Sequence, residues 1–391
     1  MGKRWAEALI EAEEKHSNPQ SLPDCLRKAE QSRRAISEAW SKIASETFKI
    51  PSWKEIAEGK RPPSSEQHRE VGEWSHGWQF QASRILDIEF KEFDLRPNLT
   101  PSGQALLLSQ GGIHAAKFLQ APPVNYQAAF EDCHFQCLLR RRLRLEIPFG
   151  MNKCPGKHCN HVLDKYGDHL ASCMKSGRVK KRAKCLEVTW AQICEEAGGA
   201  VVRNAKLRDM KLRIDHRDRR HVEFAVFGLP FWGGIPLLCD VTQGSPLKVD
   251  GSPHPKACTV PGGAIERGEK RKPQQYREAW QARGRVRLLT LACETGGRWS
   301  DQCVDFVRML AKHKAKEAPP VLQRSAEYGW QSRWWTLLSC SAHRTFAASI
   351  TELDTKLMQP STGPAPTLAD GCEFWRLEAA GPEFSRLPLR A

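Results

Sequence analysis

Three thiols and an imidazole lie close together in the chain, as Cys154, Cys159, His169 and Cys173. Their spacing, C-x4-C-x9-H-x3-C, is that of an elongated zinc knuckle. Zn2+ takes four soft or borderline ligands at about 2.0–2.3 Å, and a Cys3His set supplies them without long-range folding. Gly167 falls in the middle loop and can turn the chain so that His169 and Cys173 face the first cysteine pair. His158 and His161 offer rival nitrogens. The alternative is a loop of ordinary reduced cysteines, since the chain carries 14 of them. The way Cys and His bracket a turn favours the metal.

A second group is acidic. Glu223 lies in the alternating run His221–Gly228, and Asp240 lies in the apolar run Ile235–Thr242; both runs read as strands. Asp240 sits among Leu238, Cys239 and Val241, where a carboxylate needs a partner or a metal. Two carboxylates converging from neighbouring strands are a seat for Mg2+, a hard cation that prefers oxygen. Such an ion positions water and stabilises the charge of a phosphodiester transition state. Glu187, on the helix expected before the strands, is a third acid for this group. The alternative use of Asp240 is an internal ion pair with Arg220 or Lys272.

The elements that would position these residues follow from periodicity. Leu26–Thr47 has a helical stripe of apolar residues, and Lys60–Ser65 reads as a linker by its prolines and serines. Ser75–Phe80 leads into another helix, and Ser109–His114 breaks the chain. Phe130–Leu145 is a helix that ends in Arg140, Arg141, Arg142 and Arg144, either a solvated face or a phosphate-contacting one. Cys133 and Cys137, one turn apart in it, could hold a metal, but with His134 off that face they read as core. A basic strap, Lys175–Lys184, includes Lys180, Lys181 and Arg182. An amphipathic helix over Leu186–Ala197 follows, stopped by Gly198 and Gly199. Strands are predicted at Val201–Leu207, His221–Gly228, Ile235–Thr242 and Val286–Cys293, and helices at Ala264–Ala282 (interrupted by Pro273) and Asp301–Lys314. That order is an α/β arrangement with a mixed sheet. Ser325–Ile350 is one aromatic-bearing helix or two broken near Ser339, and from Gln359 onward the composition is that of a disordered tail.

The chain therefore divides into a helical extension and linker (1–65), a helical basic region (66–150), a CCHC finger (151–178), an α/β domain (179–318), C-terminal helices (319–355) and a tail (356–391). A net charge of +15 and a pI near 9.3 favour a polyanionic partner, DNA or RNA. No apolar run reaches the roughly 18–20 residues of a membrane span. No signal-peptide core follows Met1. Cysteines without disulfide-like spacing point to a reducing compartment, the nucleus or cytoplasm.

Several stretches taken together carry a family resemblance. They are Cys154…Cys159…His169…Cys173, Gly177–Arg182, Arg220-His-Val-Glu223, Leu229-Pro-Phe-Trp-Gly-Gly234, Asp240-Val-Thr242 and Glu294-Thr-Gly-Gly-Arg-Trp-Ser300. The segment Trp74–Ile350 resembles the C-terminal part of LINE-type (non-LTR) retrotransposon polyproteins. The lineage is the one whose reverse transcriptase is followed by a CCHC zinc finger and a restriction-endonuclease-like domain. The resemblance implies a PD-(D/E)XK core that makes a metal-dependent nick in target DNA. Glu223 matches the first acid, which in the family is Asp after Pro, and Asp240 matches the second. Thr242 stands where a plain D-x-K motif has lysine; the lineage's K-x3-Y pattern falls on Lys272 and Tyr276, with Lys270 in reserve because Pro273 follows Lys272. No Phe/Tyr-Ala-Asp-Asp polymerase motif is present, so the chain reads as the tail of such an element, a fragment or a domesticated copy. The departures at Glu223 and Thr242 give the second reading, a zinc-dependent nucleic-acid-binding protein that keeps the fold without cutting.

Overall fold

The computed structural model describes residues 2–15, 23–43, 52–58, 86–149, 152–210 and 212–351, which fall into two units divided between Leu99 and Thr100. The first unit contains α1 (Gly2–Lys15), α2 (Asp24–Ile43) and α3 (Trp53–Ala57). Ala6, Leu9 and Leu26 are its buried apolar side chains, and pairs such as Arg34–Glu30 at 2.9 Å lace its exposed faces. The helix expected over Leu26–Thr47 is α2. The expected linker Lys60–Ser65, the Ser75–Phe80 segment and the tail lie outside the described residues.

The second unit begins with α4 (Pro101–Ser109), whose first turn is set by Pro101 and by Thr100 accepting from the Gly103 amide at 3.2 Å. After α5 (Lys117–Gln120) and α6 (Asp132–Arg142) comes the Cys/His segment with the short α7 (Asp168–Ser172). α8 (Arg178–Glu196) absorbs most of the basic strap into a single 19-residue helix. Four strands follow the expected runs: β1 (Ala200–Lys206), β2 (His221–Phe227), β3 (Leu237–Gly244) and β4 (Arg287–Glu294). They form one sheet in the order β1-β2-β3-β4. The first two pairings are antiparallel and the β3–β4 pairing is parallel. A parallel neighbour needs a crossover, supplied by α9 (Gly263–Gln275) and α10 (Arg277–Gln281). α11 (Asp301–Ala315) and α12 (Gln323–Thr351) complete the unit. The fold is thus α/β with a mixed sheet.

Each face of the sheet buries its own cluster. Phe224, Val226, Cys239, Val241, Leu289 and Leu291 meet Trp190 and Ile193 of α8, Phe306 of α11 and Trp334 of α12. On the opposite face Leu238, Leu288 and Val222 meet Tyr276 and Ala279. α12 is one continuous helix of 29 residues, about 43 Å long at 1.5 Å per residue. Ser339, where a break was conceivable, is buried and accepts from the Phe118 amide at 3.0 Å.

Glycine decides how α9 lies on β3. A Cβ on Gly268 would stand 2.8 Å from Thr242 Cγ2, and one on Gly244 would stand 2.9 Å from the Ala264 Cβ. Four helical residues advance about 6.0 Å and two strand residues about 6.6 Å. The two elements therefore run in step and in opposite directions: Ala264 at Gly244, Gly268 at Thr242, Lys272 at Asp240. Pro273 does not break α9, which ends at Tyr276 (φ −117°, ψ 47°). Gly268→Val is expected to lift α9 from the sheet and to cost about 1–3 kcal/mol through overpacking. Adding Thr242→Ser, which removes Cγ2, recovers part of the loss; urea denaturation midpoints measure both.

Candidate functional site

The Cys/His segment brings its four residues together. The donor atoms of Cys154, Cys159, His169 and Cys173 all lie within 4.8 Å of one another. Both Cys154–Cys173 and Cys173–Cys159 have Sγ–Sγ separations of 3.8 Å. Cys159 Sγ stands 3.4 Å from His169 Nε2. A tetrahedron with metal–sulfur bonds of about 2.3 Å and a metal–nitrogen bond of about 2.05 Å has edges of about 3.8 and 3.6 Å. The cluster therefore has the dimensions and the donor set to bind a metal ion such as zinc. His158 and His161 are not part of it: both are exposed, and His161 stacks on His169 with ring centroids 4.2 Å apart.

Local structure accounts for this convergence. Gly167 takes φ 74°, which turns the chain into α7. Asp164 accepts from the amides of Tyr166 at 2.9 Å, Asp168 at 3.0 Å and His169 at 2.9 Å, satisfying the first donors of that helix. His169 Nδ1 donates to the Val249 carbonyl at 3.0 Å, so Nε2 keeps its lone pair for the cluster. The Gly156 amide points at Cys154 Sγ, 3.4 Å away. Asp164 and the Val249 carbonyl escaped the sequence reading; an Asp four residues ahead of Asp168 was the available signal for the first, and none existed for the second.

Arg140–Arg144 turn largely inward. Arg141 is buried, donates to the Tyr166 carbonyl at 2.7 Å and pairs with Asp168 at 2.9 Å. Arg144 grips the same carboxylate through two nitrogens, at 2.9 and 2.6 Å, and lies over the Tyr166 ring. Arg140 donates to the Glu146 carbonyl at 2.8 Å, and Arg142 is half-buried. The expectation of a free arginine row is corrected accordingly, because buried Asp168 needs cationic partners. In the strap, Lys180 and Lys181 are exposed. Arg182 is buried, its pKa lowered to about 10 by desolvation, and it donates to the Ala171 carbonyl at 2.8 Å; it is not a surface contact.

The acids also converge. β2 and β3 pair Phe224 with Cys239 and Ala225 with Leu238; one step further sets Glu223 across from Asp240, on the face that α9 covers. Asp240 is 1 % exposed and Lys272 8 %. Lys272 Nζ pairs with Asp240 Oδ1, and the Tyr276 hydroxyl donates to Oδ2 at 2.6 Å. Lys272 and Tyr276 are one helical turn apart on the α9 face set by Gly268, a spacing that carried the signal for Gly268 as well. Lys270 faces outward and pairs with Glu266. Arg220, the other partner considered for Asp240, instead binds Asp218 at 2.7 Å and Glu278 at 2.8 Å. Glu187 pairs with Lys184 at 2.7 Å.

Glu223 is the electrostatically costly member. Burial, then the neighbouring Asp240 charge, push its pKa up to about 8; the Val241 amide, which it accepts from, and Lys272 oppose the rise, while Glu187 adds to it. Burial and the carboxylate of Asp240 likewise push the Tyr276 hydroxyl well above its usual value. A proton thus sits on Glu223 through most of the neutral range, and a cation at this cluster would compete with it.

No family model, curated protein or solved structure matches the chain. Among the described residues, no helix is long and apolar enough to cross a membrane.

Two outcomes are expected. Cys173→Ser loses one equivalent of zinc by elemental analysis, and because ligation and local folding are coupled, hydrogen exchange rises across Cys154–Cys173. A Cys173→Ser protein with unchanged zinc rules out this ligand set. The second concerns pH. Glu223 has its folded pKa raised above the unfolded value, so the folded state holds the extra proton between about 4.5 and 8. Stability therefore falls as pH rises through that window. Glu223→Gln removes that component, and its stability measured from pH 5 to 8 declines less than that of the wild type.

Proposed function

We propose that this chain is a retrotransposon-derived DNA endonuclease that makes a metal-dependent nick in target DNA, built on a PD-(D/E)XK restriction-endonuclease-like core with a zinc-bound CCHC finger. The observation that carries this reading is the joint placement of Glu223 and Asp240 on adjacent strands with Lys272 and Tyr276 on Asp240. The element order supports it: helix, three antiparallel-paired strands, crossover helix and a parallel fourth strand. So does the resemblance of these motifs to the nuclease end of LINE-type polyproteins.

The oxygen donors suit Mg2+. Glu223 and Asp240 would hold it, with Glu187 nearest as a third acid. When bound, the ion supplies charge for the phosphodiester transition state and acidifies a water. The chain's own residues do the rest. Lys272 offsets the Asp240 charge and would lower the cost of generating hydroxide, and Tyr276 donates to the other Asp240 oxygen. Lys180, Lys184 and Glu187 follow one another at helical spacing on α8, so exposed Lys180 leads along the helix towards the acids. Lys180 and Lys181 would take DNA phosphates and give binding a steep salt dependence.

One observation favours the second reading, a nucleic-acid-binding protein that keeps the fold but does not cut. Both Asp240 oxygens already have protein partners in Lys272 and Tyr276, a closed arrangement that can serve stability alone. A nicking assay on supercoiled plasmid separates the two. The wild type is expected to nick with Mg2+ or Mn2+ and not with EDTA, and Asp240→Asn to lower the rate by at least about a hundredfold while DNA binding is kept. A wild-type protein that binds DNA and zinc yet leaves the plasmid intact at every Mg2+ and Mn2+ concentration supports the non-cutting reading and sinks the nuclease.

A further inference from the structure

A second group of metal-ligating side chains lies outside the Cys3His cluster, at the start of α6. Glu131 is the residue that caps this helix, and Cys133 and His134 are in its first turn. The donor atoms of the three lie within 4.8 Å of one another. The residues differ sharply in exposure: His134 is 2 % exposed, whereas Glu131 is 72 % exposed in its side chain and Cys133 is at the surface. Cys133 is therefore not the core residue that its spacing to Cys137 suggested; only Cys137 is buried.

The second observation is independent of the proximity. Neither ring nitrogen of His134 has a hydrogen-bond partner among the described residues, and Glu131 Oε2 is 4.0 Å from Nδ1. A buried imidazole without a partner forfeits its hydration on both nitrogens and gains nothing in return. Native structures rarely leave such groups without a water or an ion. Cationic Arg344 does not fill the role: it donates to the Gln127 carbonyl at 2.8 Å and to the Ala129 carbonyl.

We propose that Glu131, Cys133 and His134 form a second zinc site. The donor set decides the metal. A thiolate and an imidazole disfavour Mg2+ and Ca2+, while thiolate, imidazole and carboxylate are all established Zn2+ ligands. One thiolate and one carboxylate neutralise the dication, so the ion enters without leaving net charge against the buried His134. Exposed Glu131 closes the remaining gap by rotating. With three protein ligands, the fourth position of a tetrahedral ion faces solvent beside Glu131 and Cys133, and water takes it. The site is therefore built differently from the four-ligand cluster at Cys154–Cys173 and binds more weakly than it.

The test is the zinc content of the full chain after equilibration against zinc buffers of rising free concentration, read by elemental analysis. The wild type is expected to reach two zinc per chain in two resolved steps. Cys133→Ala and Glu131→Gln alter exposed side chains and leave folding intact; each removes or shifts the weaker step at least about tenfold, and His134→Ala abolishes it. Cys173→Ser removes the tighter step and leaves the weaker. Cobalt substitution gives a second readout, since Cys133→Ala removes one thiolate-to-cobalt charge-transfer contribution from the weaker step only. A wild-type count that never exceeds one overturns the proposal. So does a count of two that Cys133→Ala and Glu131→Gln leave untouched, because the second ion then lies elsewhere.

Discussion

Two of the hydrophobic clusters of the second unit are arranged around the need to surround α12. A helix buried on all sides has no amphipathic stripe, and it is stable only inside a larger body. From Ala326 to Ile350 most of its side chains are buried, including Trp330, Trp334 and Trp335 at one end and Phe346 and Ile350 at the other. The first end belongs to the cluster shared with the sheet. The other end packs with Cys154, Leu170 and Cys173 of the Cys/His segment and with Leu138 of α6. One helix thus joins the Cys/His segment to the α/β core, and that segment is a packed element here. Two of the polar residues of α12 are satisfied within it: Thr345 returns its hydroxyl to the Ser341 carbonyl at 2.9 Å and Ser349 to that of Phe346 at 2.7 Å.

Anchors on other elements tighten the same junction. Arg182 of α8 reaches the Ala171 carbonyl, Ser172 donates to the Leu247 carbonyl at 2.9 Å, and Arg178 donates to the Ser349 carbonyl at 3.0 Å. Glu196 at the far end of α8 collects Arg333 at 3.0 Å and the Trp334 indole at 2.7 Å. Buried charges of this kind add little net stability over apolar packing, yet removing one partner strands the other at high cost. They fix which packing is adopted more than how stable it is.

The acid cluster is built on the opposite face of the sheet by a different constraint, close backbone approach. Small residues at 244, 264 and 268 let α9 settle on β3, and the match of helix and strand steps then delivers Lys272 and Tyr276 to Asp240. Three acids, Glu187, Glu223 and Asp240, are gathered against two lysines, Lys184 and Lys272. Burial first, and then the charge of Asp240, raise the Glu223 pKa to about 8, so this acid holds a proton where a third negative charge would otherwise stand.

Local signals in the sequence determined much of this protein. The alternating run around Glu223, the apolar run around Asp240 and the helical pattern over Asp301–Lys314 marked their elements, because the patterning of apolar residues is a property of each segment alone. The four residues Cys154, Cys159, His169 and Cys173 were legible for the same reason: their ligand geometry closes within one short loop. Other features had no local signature. Lys272 reached Asp240 despite Pro273 because Gly268 and Thr242, distant in sequence, meet in space. Arg141, Arg144 and Arg182 look like a basic surface in one dimension and turn inward in three, since Asp168 and a carbonyl at Ala171 await them. Cys133 and His134 lie on different faces of a helix in one dimension, and only the fold buries the His134 ring without a partner. Segment composition sets what a stretch of chain can form; which side chains lose water, and what they must then find, is decided only when distant segments pack.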